Sequence, residues 1–100
     1  MTPEKDVTGK SDKNIDVNSV VIYPNPAKNV FTLSFTLTQS VEFSVEVYDV
    51  TGNKVLSLPD QRLQAGTHNQ QLDVTVLAPG YYFVKIMAGQ NYKIQKLIVE

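Results

Sequence analysis

A strict alternation of apolar and polar residues in the middle of the chain constrains its fold more than any other feature. It runs through residues 30–37 and 41–47, where the apolar positions are Phe31, Leu33, Phe35, Leu37, Val41, Phe43, Val45 and Val47. Successive side chains of an extended strand point to opposite faces, so each segment is predicted to be a strand with one buried face. We expect the two apolar faces to meet in a common core.

Shorter segments of the same kind, separated by Pro, Gly, Asn and Asp, fill much of the remaining sequence. The further strands predicted from them span residues 18–23, 54–58 and 68–74, together with a terminal hairpin whose turn lies at residues 88–91. Gly52 is expected to adopt a positive φ in a turn, and Pro59 is expected to end a strand. Seven short strands with turns between them predict an all-β fold, a single antiparallel β-sandwich.

The last strand breaks the alternation, because Lys93 and Gln95 share a parity with Leu97 and Val99. Either a β-bulge near residues 95–96 or burial of both faces of residues 97–99 would reconcile the pattern. The chain also stops on this strand without a tail. We therefore expect its end to lie inside the fold or to be held ready for a partner.

Length and charge narrow the classes of protein. One hundred residues suit one domain, and a net charge of −1 argues against nucleic acid as a partner. No stretch reaches the roughly 20 apolar residues of a membrane helix, and no signal peptide is present, so we expect no direct membrane insertion. Residues 1–17 are expected to be a flexible linker before a domain at 18–100. Met1 resembles an artificial start within that linker, as in a piece of a longer protein.

Catalytic and cofactor motifs are missing from the sequence. The single histidine, His68, lies in a polar stretch without a nucleophile elbow, and there is neither a calcium loop nor a phosphate-binding loop. Without Cys, neither a disulfide framework nor a thiolate metal site can form. We predict that the domain is not an enzyme and uses no cofactor or metal, with His68 a surface residue of a strand.

Two turn motifs have both structural and functional interpretations. Pro24-Asn25-Pro26 has two fixed φ values and lacks two backbone donors, so it is a rigid corner between strands or a stiff tripeptide offered to a receptor. Pro79-Gly80 followed by Tyr82 is typical of a tyrosine corner. In that motif the Tyr82 hydroxyl bonds to upstream backbone while its ring packs in the core.

Tyr81, Phe83 and Met87 have the opposite parity to Tyr82, Val84 and Ile86. They are predicted to form an exposed strip, or to be covered by a neighbouring loop. An exposed strip that included Tyr92 could stack on sugars, which is the basis of an alternative function as a carbohydrate-binding or spacer module of a secreted hydrolase.

Taken together, these segments resemble a known family. Residues 23–26, residues 47–55, the Leu-x-Pro-Gly-x-Tyr-x-Val-Lys pattern at 77–85, Gly89 and residues 96–99 are similar in order and spacing to the C-terminal sorting domain of the type IX (Por) secretion system of Bacteroidetes. The resemblance covers residues 18–100. It implies a seven-stranded, Ig-like sandwich that acts as an address label.

The resemblance also implies a pathway and partners. A cargo N-terminal to the domain is exported to the periplasm, the outer-membrane translocon recognises the domain, and the cargo reaches the cell surface or the medium. A sortase-like peptidase cuts in the linker, and the cargo can then be joined to lipopolysaccharide. The implied processing region contains Gly9, Lys10, Ser11, Asn18 and Ser19.

By position in the family pattern, the implied recognition residues are Pro24, Asn25, Pro26, Gly80, Tyr82, Lys85, Gly89, Lys96, Leu97, Ile98 and Val99. Each also has a structural interpretation: the glycines as turns, Tyr82 and Leu97 as core, and the lysines as solvated strand charges. We predict residues 96–99 as the main contact, because a last strand at a sheet edge can pair with another protein. Removal of residues 96–100 is expected to leave a folded cargo in the periplasm.

Overall fold

The structure, a computed structural model, describes residues 15–100. Seven strands make up most of this part of the chain. They are β1 (Ile15–Tyr23), β2 (Val30–Leu37), β3 (Val41–Asp49), β4 (Lys54–Leu63), β5 (Gly66–Asp73), β6 (Gly80–Ala88) and β7 (Asn91–Val99). Across residues 15–100 no helix is long and apolar enough to cross a membrane.

The strands form two antiparallel sheets packed face to face. One sheet has the order β1-β2-β5 and the other the order β4-β3-β6-β7. The chain passes from β2 in the first sheet to β3 in the second, and returns through β5, as in sandwiches of immunoglobulin type. The predicted all-β, Ig-like sandwich is confirmed.

The core lies between the sheets and follows the predicted alternation. All eight apolar positions of the alternation are buried, whereas Val30 at the start of β2 is exposed. At its centre the rings of Phe35 and Phe43 stack with their centroids 4.3 Å apart, one from each sheet. Burial of each ring stabilises the fold by about 1.5–3 kcal/mol, so this pair is a principal contact between the layers.

Strand β1 begins at Ile15, three residues before the start expected from the sequence. Ile15 is fully buried and pairs with Leu37 at the far end of β2, and a register shift follows between Asp16 and Val21. The side chain of Ser19 lies in this irregular stretch, where its hydroxyl accepts the backbone N–H of Thr36 at 2.9 Å. The predicted boundary at residue 18 therefore divides β1, while residues 1–14 of the linker predicted for residues 1–17 lie outside the described residues.

Strand β4 does not end at Pro59, contrary to the sequence-based expectation. It continues to Leu63, and the register with β3 shifts between the pairs Phe43↔Gln61 and Val45↔Leu58. Proline removes a ladder donor, but β4 is the outer strand of its sheet and Pro59 lies within the bulge. An edge strand with a bulge tolerates proline where a central strand would not.

Neither alternative offered for β7 holds, because the strand has no bulge near residues 95–96 and Ile98 is only half-buried. The register of β7 with β6 is continuous from Gly80↔Val99 to Ala88↔Asn91. Leu97 and Val99 are buried, whereas Lys93 and Gln95 on the same face are only half-buried. A three-stranded sheet does not cover all of a four-stranded one, so inward positions near one end of an outer strand can carry polar residues.

Candidate recognition surface

The outer edge of β7 is partly occupied by the side chain of Asn25. Its amide Nδ2 donates to the carbonyl oxygen of Lys96, and its Oδ1 accepts the backbone N–H of Ile98, both at 2.9 Å. One side-chain amide thus satisfies a donor and an acceptor, as a neighbouring strand would.

Backbone bonds continue this arrangement one step further along β7. The N–H of Ala27 donates to Ile98 O at 2.7 Å, and the N–H of Glu100 donates to Ala27 O at 2.8 Å. Ala27 is fully buried and forms a parallel bridge with Val99. We call residues 25–27 the edge clasp, because they cover one end of the β7 edge and tie the segment after β1 to the opposite sheet.

The clasp changes the interpretation of the Pro-Asn-Pro motif. Pro24, Asn25 and Pro26 are all exposed, and the Tyr23-Pro24 and Asn25-Pro26 peptide bonds are cis. The polar groups of Asn25, however, are bonded to the domain itself. The motif therefore combines two exposed prolines with an internal contact at Asn25.

Tyr82 forms the predicted tyrosine corner. Its hydroxyl donates to the carbonyl oxygen of Ala78 at 2.5 Å, and only 7% of the residue is exposed. Gly80, between the two, has a φ of 154° and begins β6 opposite Val99. Both residues thus fix the start of β6, and the Tyr82 ring is not a surface contact.

The outer face of the β6–β7 hairpin carries a dense group of exposed apolar side chains. The exposed fractions are 55% for Tyr81, 41% for Phe83, 59% for Tyr92 and 53% for Ile94. Of the predicted strip, Tyr81 and Phe83 are exposed and Met87 is half-buried, and Tyr92 and Ile94 extend the exposed face onto β7. Exposed apolar patches of this kind mark contact surfaces more often than isolated residues do.

Two lysines lie against the aromatic rings of this face. Lys85 Nζ is 5.1 Å from the centre of the Tyr92 ring, and Lys96 Nζ is 4.7 Å from that of Tyr81. Each ammonium is within the range of a cation–π contact, which contributes about 0.5–1 kcal/mol at exposed positions. These contacts hold both lysines over the hairpin.

A shallow depression of about 490 Å³ adjoins the hairpin, and residues of the β3–β4 turn, Phe83 and Ile94 line it. At its margin the Tyr48 hydroxyl donates to Glu46 Oε1 at 2.5 Å, and Lys54 Nζ lies 3.3 Å from Glu46 Oε2. The hydrogen bond from Tyr48, reinforced by Lys54, lowers the pKa of Glu46. The same bond raises the pKa of the Tyr48 phenol.

The predicted recognition residues at the end of β7 fall into two groups. Leu97 and Val99 are buried in the core, whereas Lys96 is exposed and Ile98 half-exposed on the outer face. Gly89 lies at the opposite end of the hairpin, with a φ of 63°, and its N–H donates to Glu42 O at 2.8 Å. A partner of the folded domain can therefore reach Lys96 and Ile98 but not the side chains of Leu97 and Val99.

The remaining predicted positions lie away from this surface. Asn18 and Ser19 are within β1, and Gly9, Lys10 and Ser11 lie outside the described residues. His68 is half-buried on β5, where its Nε2 is 2.7 Å from Gln64 O and its ring stacks on Phe35. Among residues 15–100 no group of three His, Cys, Asp or Glu could hold a metal ion.

Sequence reasoning missed two residues of this region, the buried Ala27 and the exposed Ile94. Ala27 gave no signal, because its role depends on backbone groups that meet Ile98 and Glu100. Ile94 could have been found, since its parity is opposite to that of the buried Leu97 and Val99. An apolar residue on the outer face of an edge strand is a feature that sequence can show.

Comparison with protein families decides what this domain is. The family model described as the secretion system C-terminal sorting domain matches residues 21–100. The chain belongs to this family. The match contains the edge clasp and the whole β6–β7 hairpin. The sorting domain is a C-terminal signal of the type IX (Por) secretion system, which implies export of an attached protein to the cell surface or beyond it.

Two solved structures share the fold of the sorting domain. Dimeric latent PorU from Porphyromonas gingivalis aligns with a TM-score of 0.65 and 22% identity, over 80% of this chain and 9% of PorU. PorZ of the same organism, described as an essential bacterial surface component of its type-IX secretion system, aligns with a TM-score of 0.61 and 18% identity, over 93% of this chain and 12% of PorZ. This chain thus spans about a tenth of each protein. No curated protein matches it.

Proposed function

We propose that this sorting domain directs a cargo protein, attached at its N-terminal side, through the outer-membrane translocon of the type IX system as a folded β-sandwich. The family match over residues 21–100 carries the proposal. Leu97 and Val99 are buried in the folded domain and would be exposed in an unfolded chain. Their burial supports recognition of the folded form, because the two states present different surfaces to a receptor. No catalytic step is assigned to the domain itself.

The translocon is proposed to contact the outer face of the hairpin and the prolines beside the clasp. Lys85, Lys96 and Ile98 supply the accessible groups on the hairpin, and Pro24 and Pro26 flank Asn25 at its edge. The residues beneath this surface support it without being exposed themselves: Gly80 and Tyr82 at the start of β6, and Leu97 and Val99 in the core. Gly89 sets the turn at the far end.

Processing is proposed to fall before Ile15, in the stretch that contains Gly9, Lys10 and Ser11. A protease needs an extended backbone without ladder partners. Ile15 is fully buried, and Ser19 is bonded to both Asp16 and Thr36, so a cut beside Asn18 or Ser19 would require local opening of β1. A sortase-like peptidase would release the cargo there and could join it to lipopolysaccharide.

The test is delivery of a reporter fused to the full chain and carrying its own export signal, in a bacterium with a type IX system. We expect the reporter at the cell surface or in the medium, and its retention in the periplasm when residues 15–100 are deleted. Delivery of the deleted form would contradict the proposal. Removal of residues 96–100 alone is a weaker test, because it deletes two core side chains and the partners of the clasp.

Substitutions then locate the contact without removing the fold. Lys85→Ala and Lys96→Ala together are expected to retain the reporter in the periplasm at an unchanged unfolding midpoint. Lys28→Ala, an exposed lysine between β1 and β2, is the matched control and is expected to be delivered normally. Equal delivery of both variants would contradict the assignment of the hairpin lysines.

The exposure of Tyr81, Phe83 and Tyr92 favours carbohydrate binding as a second candidate. The lysines weaken it, because an ammonium already lies over a face of Tyr81 and of Tyr92, where a sugar would stack. Affinity electrophoresis in polysaccharide gels separates the candidates. Retardation that Tyr81→Ala abolishes would support a carbohydrate-binding module.

A further inference from the structure

The edge of β7 is covered along only part of its length. The groups that the clasp satisfies are Lys96 O, Ile98 N–H, Ile98 O and Glu100 N–H, and all of them point away from β6. Because strand backbone alternates with a period of two, the N–H and C=O groups of Tyr92 and Ile94 and the N–H of Lys96 point the same way. Within residues 15–100 no strand pairs with these groups.

The open part of the β7 edge has neither the proline nor the bulge that interrupts the opposite edge of the sheet, and its only charged residues are Lys93 and Lys96. The opposite edge of the same sheet, β4, is interrupted by Pro59 in a bulge and carries Asp60 and Arg62. The open part of β7 has regular register and two exposed apolar side chains, Tyr92 and Ile94. Proteins normally blunt such edges, because an unpaired regular strand is a template for another chain.

Charge specifies which chain would fit. Residues 74–99 contain three lysines, Lys85, Lys93 and Lys96, and no Asp or Glu, although the whole chain has a net charge of −1. Positive charge is therefore concentrated on the hairpin that carries the open edge. A strand with carboxylates would complement it, and a basic strand would be repelled.

We propose that residues 92–96 are a docking edge for an extended, acidic segment of a partner protein, in which apolar residues alternate with Asp or Glu. The segment adds to the four-stranded sheet beside β7 and pairs with the N–H and C=O groups of Tyr92 and Ile94. Its apolar side chains pack against Tyr92 and Ile94 on the outer face, so its carboxylates lie on the opposite face of the sheet, beside Lys93. This proposal deepens the proposed function. It rests on that function only in assigning the partner protein to the secretion machinery.

A second copy of the domain fits this edge less well than an acidic strand. In an antiparallel pair centred on Ile94, the two copies would bring together two sets of Lys85, Lys93 and Lys96, with no carboxylate from either hairpin. Such a pair juxtaposes like charges, which oppose association at low ionic strength. Charge complementarity thus favours a different chain as the occupant.

The first test measures amide hydrogen exchange of the full chain by NMR. We expect fast exchange at Tyr92, Ile94 and Lys96, next to protected amides at Gln95 and Leu97, which pair with β6. Protection of the first three at low protein concentration would show that the edge is already filled, and would overturn the proposal. Protection that grows with protein concentration would indicate self-association, and would overturn it as well.

The second test adds an end-blocked heptapeptide that alternates valine with glutamate. We expect it to slow exchange at Tyr92 and Ile94, and to bind about tenfold more tightly than the peptide that alternates valine with lysine, at low ionic strength. Equal binding of the two peptides, or shifts elsewhere in the domain only, would overturn the proposal.

Two substitutions at one position separate backbone pairing from side-chain contact. Ile94→Pro removes the outward N–H, and Ile94→Thr keeps it while removing a similar apolar surface. We expect Ile94→Pro to lose binding at least threefold more than Ile94→Thr. If Ile94→Pro fails to fold, N-methylation of the peptide's central valine removes a ladder donor from the other side. Unchanged binding of the methylated peptide would overturn the proposal.

A charge pair completes the design. Lys93→Gln removes one positive charge from the face that the carboxylates of the segment would occupy, and Arg62→Gln removes one from the other edge of the same sheet. We expect Lys93→Gln to weaken binding of the glutamate peptide about threefold and Arg62→Gln to have no effect. All these measurements use the isolated chain, so they can fail while reporter delivery succeeds, and the reverse.

Discussion

Asn25 and Ile98 lie 73 positions apart in sequence, and the Oδ1 atom of Asn25 accepts the backbone N–H of Ile98 at 2.9 Å. The contact joins the segment after β1, in the three-stranded sheet, to the outer strand of the four-stranded sheet. It therefore fixes the two layers of the sandwich relative to each other at one end. The same amide also covers the β7 edge at Lys96 and Ile98, which are two of the predicted recognition residues.

Loss of the Asn25 side chain should lower the stability of the whole domain and expose the backbone of β7 at Ile98. Asn25→Ala removes two hydrogen bonds, each worth about 1 kcal/mol, so we expect a loss of about 1–2 kcal/mol in the free energy of unfolding. Urea unfolding measures it, and faster amide exchange at Ile98 locates it. Asn69→Ala, an exposed asparagine on β5, should change stability by less than about 0.5 kcal/mol. Slow exchange at Ile98 in Asn25→Ala would contradict the role given to the clasp.

The tyrosine corner should contribute through its hydroxyl alone. Tyr82→Phe keeps the buried ring but leaves Ala78 O without its partner, so we expect a loss of about 1 kcal/mol in the free energy of unfolding. Tyr81→Phe makes the same chemical change on the exposed face and should leave the midpoint of thermal unfolding in place. Equal midpoints for the two variants would count against the corner.

Ile15 should behave as a core residue and not as part of a linker. Ile15→Ala empties a fully buried position, and such substitutions cost about 2–5 kcal/mol. Val21→Ala, at a half-exposed position of the same strand, should cost much less. Denaturant midpoints compare the two. A loss below that of Val21→Ala would place the start of the fold later in the chain.

Two carboxylates should make stability depend on acid pH. The Thr51 hydroxyl and the backbone N–H groups of the turn lower the pKa of Asp49, and the hydroxyl and N–H of Thr75 lower that of Asp73. Between the lowered pKa and the ordinary value of 3.8 the unfolded chain binds more protons, so stability rises with pH there. Their contribution is complete above pH 3.8 and is lost as the pH falls through the folded-state pKa values.

Carboxyl-carbon NMR titration separates the two sites. Thr51→Ala should raise the pKa of Asp49 and leave the titration of Asp73 in place, because the shortest bond to Asp49 is from that hydroxyl, at 2.6 Å. Thr75→Ala should do the reverse. If the titration midpoint of Asp49 is unchanged in Thr51→Ala, the lowered pKa must come from the backbone N–H donors instead.

The sequence predicted the parts of the fold that local patterning determines. In β2 and β3 the alternation specifies which side chains are buried, and the Pro79-Gly80 turn with Tyr82 specifies the corner. The sequence-based expectations at Pro59 and Lys93, a strand end and a break in the alternation that called for a bulge or two buried faces, were wrong for the same reason. Proline in a ladder and lysine on an inward face are excluded from central strands but are tolerated in the outer strands β4 and β7, and strand order is not a local property.

The clasp could not be predicted from local pattern. A Pro-Asn-Pro corner is compatible with an exposed motif and with a contact inside the domain, and only the approach of β7 from the other end of the chain selects the second for Asn25. The open edge at residues 92–96 depends on the same approach. Its extent is set by where the clasp stops.

The contact between Asn25 and Ile98 also sets an order of events during synthesis. The ribosome makes the chain from its N-terminal side, so Asn25 waits for its partner until nearly all of β7 has emerged. Leu97 and Val99 are core residues, and the sandwich cannot close before they are available. A chain that breaks off before Ile98 therefore lacks the contact that joins the two sheets at this end, and its sandwich is incomplete.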